Sequence, residues 1–117
     1  MNKSEDNSNP RNLVLDILGH KIYLENMSSE MIDAVKELGA FQKQIAGEPV
    51  WLINCADDQE LVKKLHELNS LGFLFVGEPA GWPPAEVFDY FRKKKLLSEK
   101  FKEVRWHEPG DWFIIDR

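Results

Sequence analysis

Two short runs near the start of the chain alternate apolar and polar residues. They span residues 13–17 and 21–25, and a period of two is typical of a strand with one buried face. Gly19 and His20 lie between the runs, and glycine at the first of two central positions suits a type II′ turn. The pattern therefore predicts an antiparallel hairpin.

Three later segments space their apolar residues at helical intervals. The first runs over residues 28–47, where Gly47 closes it and Pro49 prevents its continuation. The second runs over residues 57–72 and opens with an acidic capping box, an aspartate followed three positions later by a glutamate. The third runs over residues 84–95, with proline in its first turn and basic residues in its last. Three helices are predicted.

Short apolar runs separate and follow these helices. Residues 50–53 and 73–76 are apolar throughout, which is typical of strands covered on both faces. Residues 103–107 and 112–115 flank a Pro-Gly pair that suits a type II turn, so a second hairpin is predicted. The expected order is ββαβαβαββ. This predicts an α/β domain, or an α+β one, with a mixed sheet of about six strands.

Composition assigns the chain to the class of globular proteins. It has 117 residues, of which 43% are apolar and 30% charged, as expected for one domain. Residues 1–11 lack an apolar anchor and are predicted to be a disordered tail before a single domain at 12–117. Cys55 is the only cysteine, so no internal disulfide is expected. The polar start and the absence of a long apolar run predict a cytoplasmic protein without a membrane span.

The charge is unevenly distributed along the chain. The net charge is -5, yet residues 92–105 carry seven basic and two acidic side chains, a net +5 that leaves -10 for the remainder. Aromatic side chains near this segment would allow base stacking, which keeps nucleic-acid binding open as an alternative. The acidic remainder repels phosphate, so nucleic acid is the disfavoured partner.

Polar residues follow the two apolar strands in the middle of the chain. Asn54, Asp57 and Asp58 follow the first of them, and Glu78 and Trp82 follow the second. If the strands are parallel, both groups lie at one edge of the sheet, where α/β folds bind ligands. An aromatic face beside carboxylates suits an organic cation or a basic partner surface. The alternative is structural: Asp57 caps its helix, Asn54 bonds loop backbone and Trp82 packs over the core.

Catalytic and metal-binding patterns are weak. Cys55 would need a histidine beside it, and His107 is the only plausible partner, because His20 is expected in a distant turn. His107, Glu108 and Asp111 lie within five residues, and a bent hairpin turn would gather them, but the spacing matches no metal motif and also fits a solvated turn. Nucleotide-binding glycine motifs are absent. We therefore predict no catalytic residue, no metal ligand and no cofactor.

These observations favour a non-catalytic binding or interaction protein, such as an accessory or inhibitory partner. The candidate binding residues are Asn54, Asp57, Glu78 and Trp82. A small-ligand binder or an enzyme that uses the crevice at the strand ends, for example for a cationic ligand, is the first alternative. Binding of nucleic acid through residues 92–105 is the second. The expected partner is another protein or a cationic small molecule.

Overall fold

The computed structural model describes residues 10–76, 84–108 and 110–117, and these form seven strands and three helices. The strands are β1 (Leu13–Leu18), β2 (Lys21–Glu25), β3 (Phe41–Ile45), β4 (Glu48–Asn54), β5 (Leu74–Phe75), β6 (Lys102–Glu108) and β7 (Asp111–Asp116). The helices are α1 (Ser29–Glu37), α2 (Asp58–Ser70) and α3 (Pro84–Lys93).

The strands form one mixed sheet in the order β3-β4-β2-β1-β5-β6-β7. β1 pairs antiparallel with β2 and parallel with β5, and β5 pairs parallel with β6. The β2–β4, β3–β4 and β6–β7 pairs are antiparallel. The predicted class, a single α/β domain with a mixed sheet and three helices, is confirmed.

The main core lies between the sheet and the helices, so we call this side of the sheet the helix face. Strand side chains on this face pack against apolar stripes of the helices, because each element must bury its apolar side. The fully buried members of this core include Val14, Ile22, Val35, Ile53, Leu65, Leu68, Phe73, Phe75, Phe88 and Phe101.

The opposite side of the sheet, which we call the open face, has a smaller apolar cluster. Leu13, Val76 and Val104 are buried there, with Leu74 and Trp112 packed against them. Alternation along the strands also places four exposed apolar side chains on this face. These are Phe41, Ile45, Trp106 and Ile114.

The predicted helix over residues 28–47 is wrong in its second half. α1 ends at Glu37 because Gly39 takes a left-handed conformation, with φ +101°. The Gly39 N–H donates to the Lys36 carbonyl and the Ala40 N–H donates to the Val35 carbonyl, which is a Schellman cap. Residues 41–45 then form a strand, so the order is ββαββαβαββ and the sheet has seven strands instead of about six.

Residues with positive φ form the turns of the first two hairpins. Gly19 and His20 both have positive φ, +58° and +67°, so their turn is of type I′ and the predicted type II′ is wrong. Ala46 and Gly47 also both have positive φ, and they join β3 to β4. Gly47, predicted to end a helix, therefore turns a hairpin. The predicted terminal hairpin is present as β6 and β7, but residue 109 of its turn lies outside the described residues.

The second predicted helix has the expected cap. The Asp57 carboxylate accepts a hydrogen bond from the Glu60 N–H at 2.9 Å, and the Glu60 carboxylate accepts one from the Ala56 N–H at 2.6 Å. Gly72 closes α2 with φ +96°. No helix within the described ranges is long and apolar enough to span a bilayer.

Candidate functional site

The carboxyl ends of β4, β1 and β5 lie at the same edge of the sheet. β4 and β1 both run antiparallel to β2, and β5 runs parallel to β1, so all three have the same direction. β4 and β5 are not neighbours, because β2 and β1 lie between them. Three strand spacings separate β4 from β5, about 14 Å. The β1–β2 turn fills the gap between their ends.

Two of the four predicted site residues belong to the described part of the chain. Asn54 is exposed at the end of β4, opposite Lys21, and Asp57 caps α2 as the structural alternative proposed. Glu78 and Trp82 belong to residues 77–83, outside the described part of the chain. Of the four, Asp57 lies beside the polar cluster at this edge.

His20 is the first member of that cluster. Its main-chain carbonyl accepts a hydrogen bond from the Cys55 N–H at 2.8 Å, which ties the β1–β2 turn to the end of β4. Its Nε2 atom lies 2.6 Å from Oδ1 of Asp58 in the first turn of α2. The turn conformation and the helix cap thus bring a histidine and a carboxylate together from positions 38 residues apart.

Helix α3 contributes the other two members. Nζ of Lys94, the residue after α3, donates to Oδ2 of Asp58 at 2.6 Å and to the Tyr90 hydroxyl at 3.2 Å. The Tyr90 hydroxyl donates to the same carboxylate oxygen at 3.4 Å. The ammonium lies 5.0 Å from the centre of the Tyr90 ring, within cation–π distance. Both oxygens of Asp58 are therefore engaged, one by His20 and one by the α3 pair.

The cluster is positioned by two residues with left-handed backbone conformations. His20 has φ +67° and Lys95 has φ +60°. Lys95 ends α3 in a Schellman cap, in which the Leu96 N–H donates to the Phe91 carbonyl and the Lys95 N–H donates to the Arg92 carbonyl. Non-glycine residues adopt this conformation at a cost, and such residues concentrate at functional sites.

A cavity of about 470 Å³ opens beside the cluster. Its wall is apolar and comes from β1, α2 and α3, through Ile17, Leu61, Val87 and Phe91. In the described part of the chain, its polar residues are His20, Asp58 and Tyr90. A neighbouring depression of about 420 Å³ shares His20 and Asp58 and adds Asp57, Gln59 and Lys94. The volume of the first cavity is in the range of small-molecule sites.

The pairing fixes the charges of two cluster members. Hydrogen bonds from Lys94 and then from His20 lower the pKa of the Asp58 carboxyl below its ordinary value. The same carboxylate, followed by the Tyr90 hydroxyl, raises the pKa of the Lys94 ammonium. Asp58 is therefore an anion and Lys94 a cation throughout the neutral pH range.

Cys55 lies near the cluster but as a protonated thiol. Burial, followed by the negative charges of Glu60 and Asp57, raises the pKa of its thiol to about 11. His107, the only plausible histidine candidate in the sequence, is on β6, four strands away from β4 and about 19 Å distant by strand spacing. The histidine that Cys55 does contact is His20, through a main-chain hydrogen bond.

A second candidate cluster lies at the turn between β6 and β7. The ligand atoms of His107, Glu108 and Asp111 lie within 4.8 Å of one another, and all three residues are exposed.

The basic segment 92–105 was the candidate for binding nucleic acid. Several of its side chains bind acidic or carbonyl oxygens of this chain. These basic residues are Arg92, Lys94, Lys102 and Arg105.

The sequence pattern did not single out His20, Tyr90 or Lys94 as one site. His20 reaches Asp58 because β1 and β4 run in the same direction, which places the β1–β2 turn at the same edge of the sheet as the end of β4. The available signal was the Gly-His turn itself, since a two-residue turn must lie at the carboxyl end of the first strand. Only the strand order brings that end next to Asp58.

Comparison of this chain with protein-family models, with curated proteins and with solved structures gives no match. Its function must therefore be argued from the geometry of the cluster and the cavity.

Proposed function

We propose that this is a cytoplasmic, non-catalytic binding protein whose ligand occupies the cavity beside the His20–Asp58–Tyr90–Lys94 cluster. The ligand has an apolar body and a polar end group that accepts hydrogen bonds. The observation that carries this proposal is the convergence of polar side chains from three elements at one side of an apolar cavity of about 470 Å³.

The shape and lining of the cavity support a binding role. Small-molecule sites are concave and mostly apolar, with a few polar groups that fix the orientation of the ligand. Here the wall side chains Leu61, Val87 and Phe91 are each at most 3% exposed, so they belong to the core and are held rigidly. A rigid wall loses little entropy when a ligand binds.

The charges of the cluster favour binding over proton transfer. The lowered pKa of Asp58 makes it a weak base, and the raised pKa of Lys94 keeps its amine protonated and therefore non-nucleophilic. The Cys55 thiol, with a pKa of about 11, is protonated as well. The cluster thus supplies a fixed arrangement of donors and charges.

The unused donor of the cluster indicates the polar end of the ligand. Asp58 and Tyr90 take two of the three N–H groups of Lys94, and among the described residues the third has no partner. A carboxylate, sulfonate or carbonyl oxygen fits this group. A cation would have to compete with Lys94 for the engaged carboxylate, so the cavity together with the neighbouring depression that Lys94 lines favours an acceptor over the cationic ligand suggested by the sequence.

The test is a fluorescence titration with anilinonaphthalene sulfonate, which has an aromatic body and an anionic acceptor. Lys94→Met removes the donor and keeps the apolar stem, so we expect the affinity to fall about tenfold, as for one hydrogen bond to a charged group. Val87→Phe fills the cavity and should remove most of the binding. Circular dichroism confirms that each variant is folded.

Lys93→Met is the matched control, because it removes the same charge from an exposed neighbour on α3. Its affinity for the probe should equal that of the natural chain. The proposal is overturned if the natural chain does not bind the probe, or if folded Lys94→Met and Val87→Phe bind it as tightly as the natural chain does.

A further inference from the structure

Among the described strands, β7 lies at an edge of the sheet and has apolar side chains on both faces. Four consecutive apolar residues, Trp112 to Ile115, form its middle, and Phe113 is 52% and Ile114 42% exposed. The opposite edge, β3, carries Lys43 at its centre. Charge on an edge strand discourages pairing with another chain, whereas an uncharged apolar edge favours it.

The hydrogen-bond phase of β7 shows which main-chain groups face outward. The Arg117 N–H donates to the Phe101 carbonyl at 2.7 Å, so residues 101 and 117 are a hydrogen-bonded pair. Antiparallel ladders alternate bonded and non-bonded pairs, and Ile115 and Phe113 therefore bond inward to β6. The main-chain groups of Trp112, Ile114 and Asp116 point away from β6.

We infer that a second copy of this chain pairs with β7, antiparallel and centred on Ile114. A two-fold axis perpendicular to the sheet would relate the copies, so each residue lies opposite one on the same face. Ile114 pairs with itself and Trp112 with Asp116 of the second copy. The main-chain groups of Ile114 and Asp116 point outward, so the register forms inter-chain hydrogen bonds about the two-fold axis.

In the same register, side chains on the helix face of one copy lie opposite complementary side chains of the second copy. Phe113 lies opposite Ile115 of the second copy, which joins the most exposed apolar side chain of β7 to another apolar one. Asp111 lies opposite Arg117 of the second copy, so opposite charges meet at both ends of the pairing. The strand is therefore complementary to itself in charge and in apolar surface.

Other symmetric registers are worse. A pairing centred on Phe113 would place inward-bonding main-chain groups at the interface. One centred on Trp112 would place Asp116 opposite Glu108 and Phe113 opposite Asp111. One centred on Asp116 would place two aspartates directly opposite each other, which is destabilising.

The first test measures the mass of the full chain by light scattering over a concentration series. We expect twice the mass of a single chain. Ile114→Lys places two ammonium groups on the two-fold axis and should give a monomer. Ile45→Lys is the matched control, because Ile45 is an equally apolar and similarly exposed residue on the other edge strand, and its variant should remain a dimer.

A second test distinguishes the register by disulfide formation in a Cys55→Ala background. Ile114→Cys places two Cα atoms about 5.5 Å apart, within disulfide range, and should cross-link on mild oxidation. Phe113→Cys is more exposed but its symmetry mate is about 8 Å away, so it should not cross-link. A monomeric natural chain, or cross-linking at residue 113 in place of 114, would overturn the inference.

Discussion

Two residues beside the candidate site hold the backbone in a conformation that favours glycine. His20 closes the β1–β2 turn and Lys95 ends α3, each with φ near +60°. For a residue with a Cβ atom this conformation costs roughly 1–2 kcal/mol. The left-handed conformation of His20 places its side chain within reach of Asp58, and that of Lys95 ends α3 directly after Lys94. The stability of the fold is thus reduced at two positions that build the cluster.

Lys95→Gly should raise the free energy of unfolding by about 0.5–1 kcal/mol, because glycine removes the left-handed penalty but adds entropy to the unfolded chain. Gly72→Ala, at the equivalent position after α2, should lower it by about 1 kcal/mol. Among the described residues an added Cβ at Gly72 meets no atom within 4 Å, so the cost is purely conformational. Urea denaturation measures both. This account would be contradicted if the free energy of unfolding of Lys95→Gly were no higher than that of the natural chain.

Cys55 should react slowly with iodoacetamide in the folded protein. At about pH 8 a thiol with a pKa of about 11 is almost entirely protonated, and we expect alkylation roughly 100-fold slower than in the denatured chain. Glu60→Gln removes a negative charge that raises this pKa and should accelerate the reaction. Mass spectrometry follows the modification. Equal rates in folded and denatured chains would refute the assigned thiol state.

At the scale of elements, the Asp58 carboxylate joins the β1–β2 hairpin, α2 and α3. Its side chain is 23% exposed, whereas His20 and Lys94 are 42% and 44% exposed. The ion pair is therefore partly screened by solvent, and its contribution to stability is modest. Its main effect is to fix the relative positions of three elements around the cavity.

Asp58→Asn should lower the melting temperature by a few degrees at neutral pH. The pKa of Asp58 is lower in the folded state, so its stabilisation is present above the ordinary value of 3.8 and is lost as the pH falls through the lowered value. The difference between variant and natural chain should therefore shrink in strong acid. Lys94 has a raised pKa, so its contribution is complete below 10.5 and is lost only at higher pH.

Calorimetry over a pH series measures this dependence. The control is the double variant Asp58→Asn/Lys94→Met, whose loss should be smaller than the sum of the single losses, because the two residues share one interaction. A difference that stays constant from neutral pH into strong acid would show that the carboxylate charge is not responsible.

The α1–β3 region shows what limited sequence reasoning about elements. Apolar residues at 31, 35, 38, 41 and 45 fit a helical period, but residues 41–45 form β3, in which all five residues are exposed. The positive φ of Gly39 ends α1, so the helix cannot continue into residues 41–45. Pro49 is tolerated in β4 because the neighbouring strand β2 has already ended at Glu25, so no hydrogen bond to β2 is lost at this position. Both α2 and the first hairpin had strong local signals and were predicted correctly.

The site was less predictable than the elements because it depends on contacts distant in the chain. Asp57 and Asp58 were assigned to the correct edge of the sheet from their position after an apolar strand. His20 and Lys94 reach Asp58 across 38 and 36 residues, through a strand order that local patterns do not determine. The predictions for Glu78 and Trp82 concern residues outside the described ranges.

At the scale of the whole molecule, the three helices of the described residues all lie on one face, and none of them covers the open face of the sheet. In the dimer inferred above, a two-fold axis perpendicular to the sheet keeps the helices of both copies on the same side. The two open faces then form one continuous surface that carries Trp106 and Ile114 near its centre. The candidate cavity lies on the helix side, so the proposed ligand and the second copy of the inferred dimer would occupy separate parts of the molecule.

The strand order also has a consequence for protein synthesis. The β1–β2 hairpin is central in the sheet, the β3–β4 hairpin adds on one side, and β5, β6 and β7 add in turn on the other. Each hairpin or strand that emerges from the ribosome therefore finds its neighbour already translated. The apolar edge strand β7 follows all the others, so a nascent chain builds the rest of its own sheet before it exposes the edge that would pair with a finished copy.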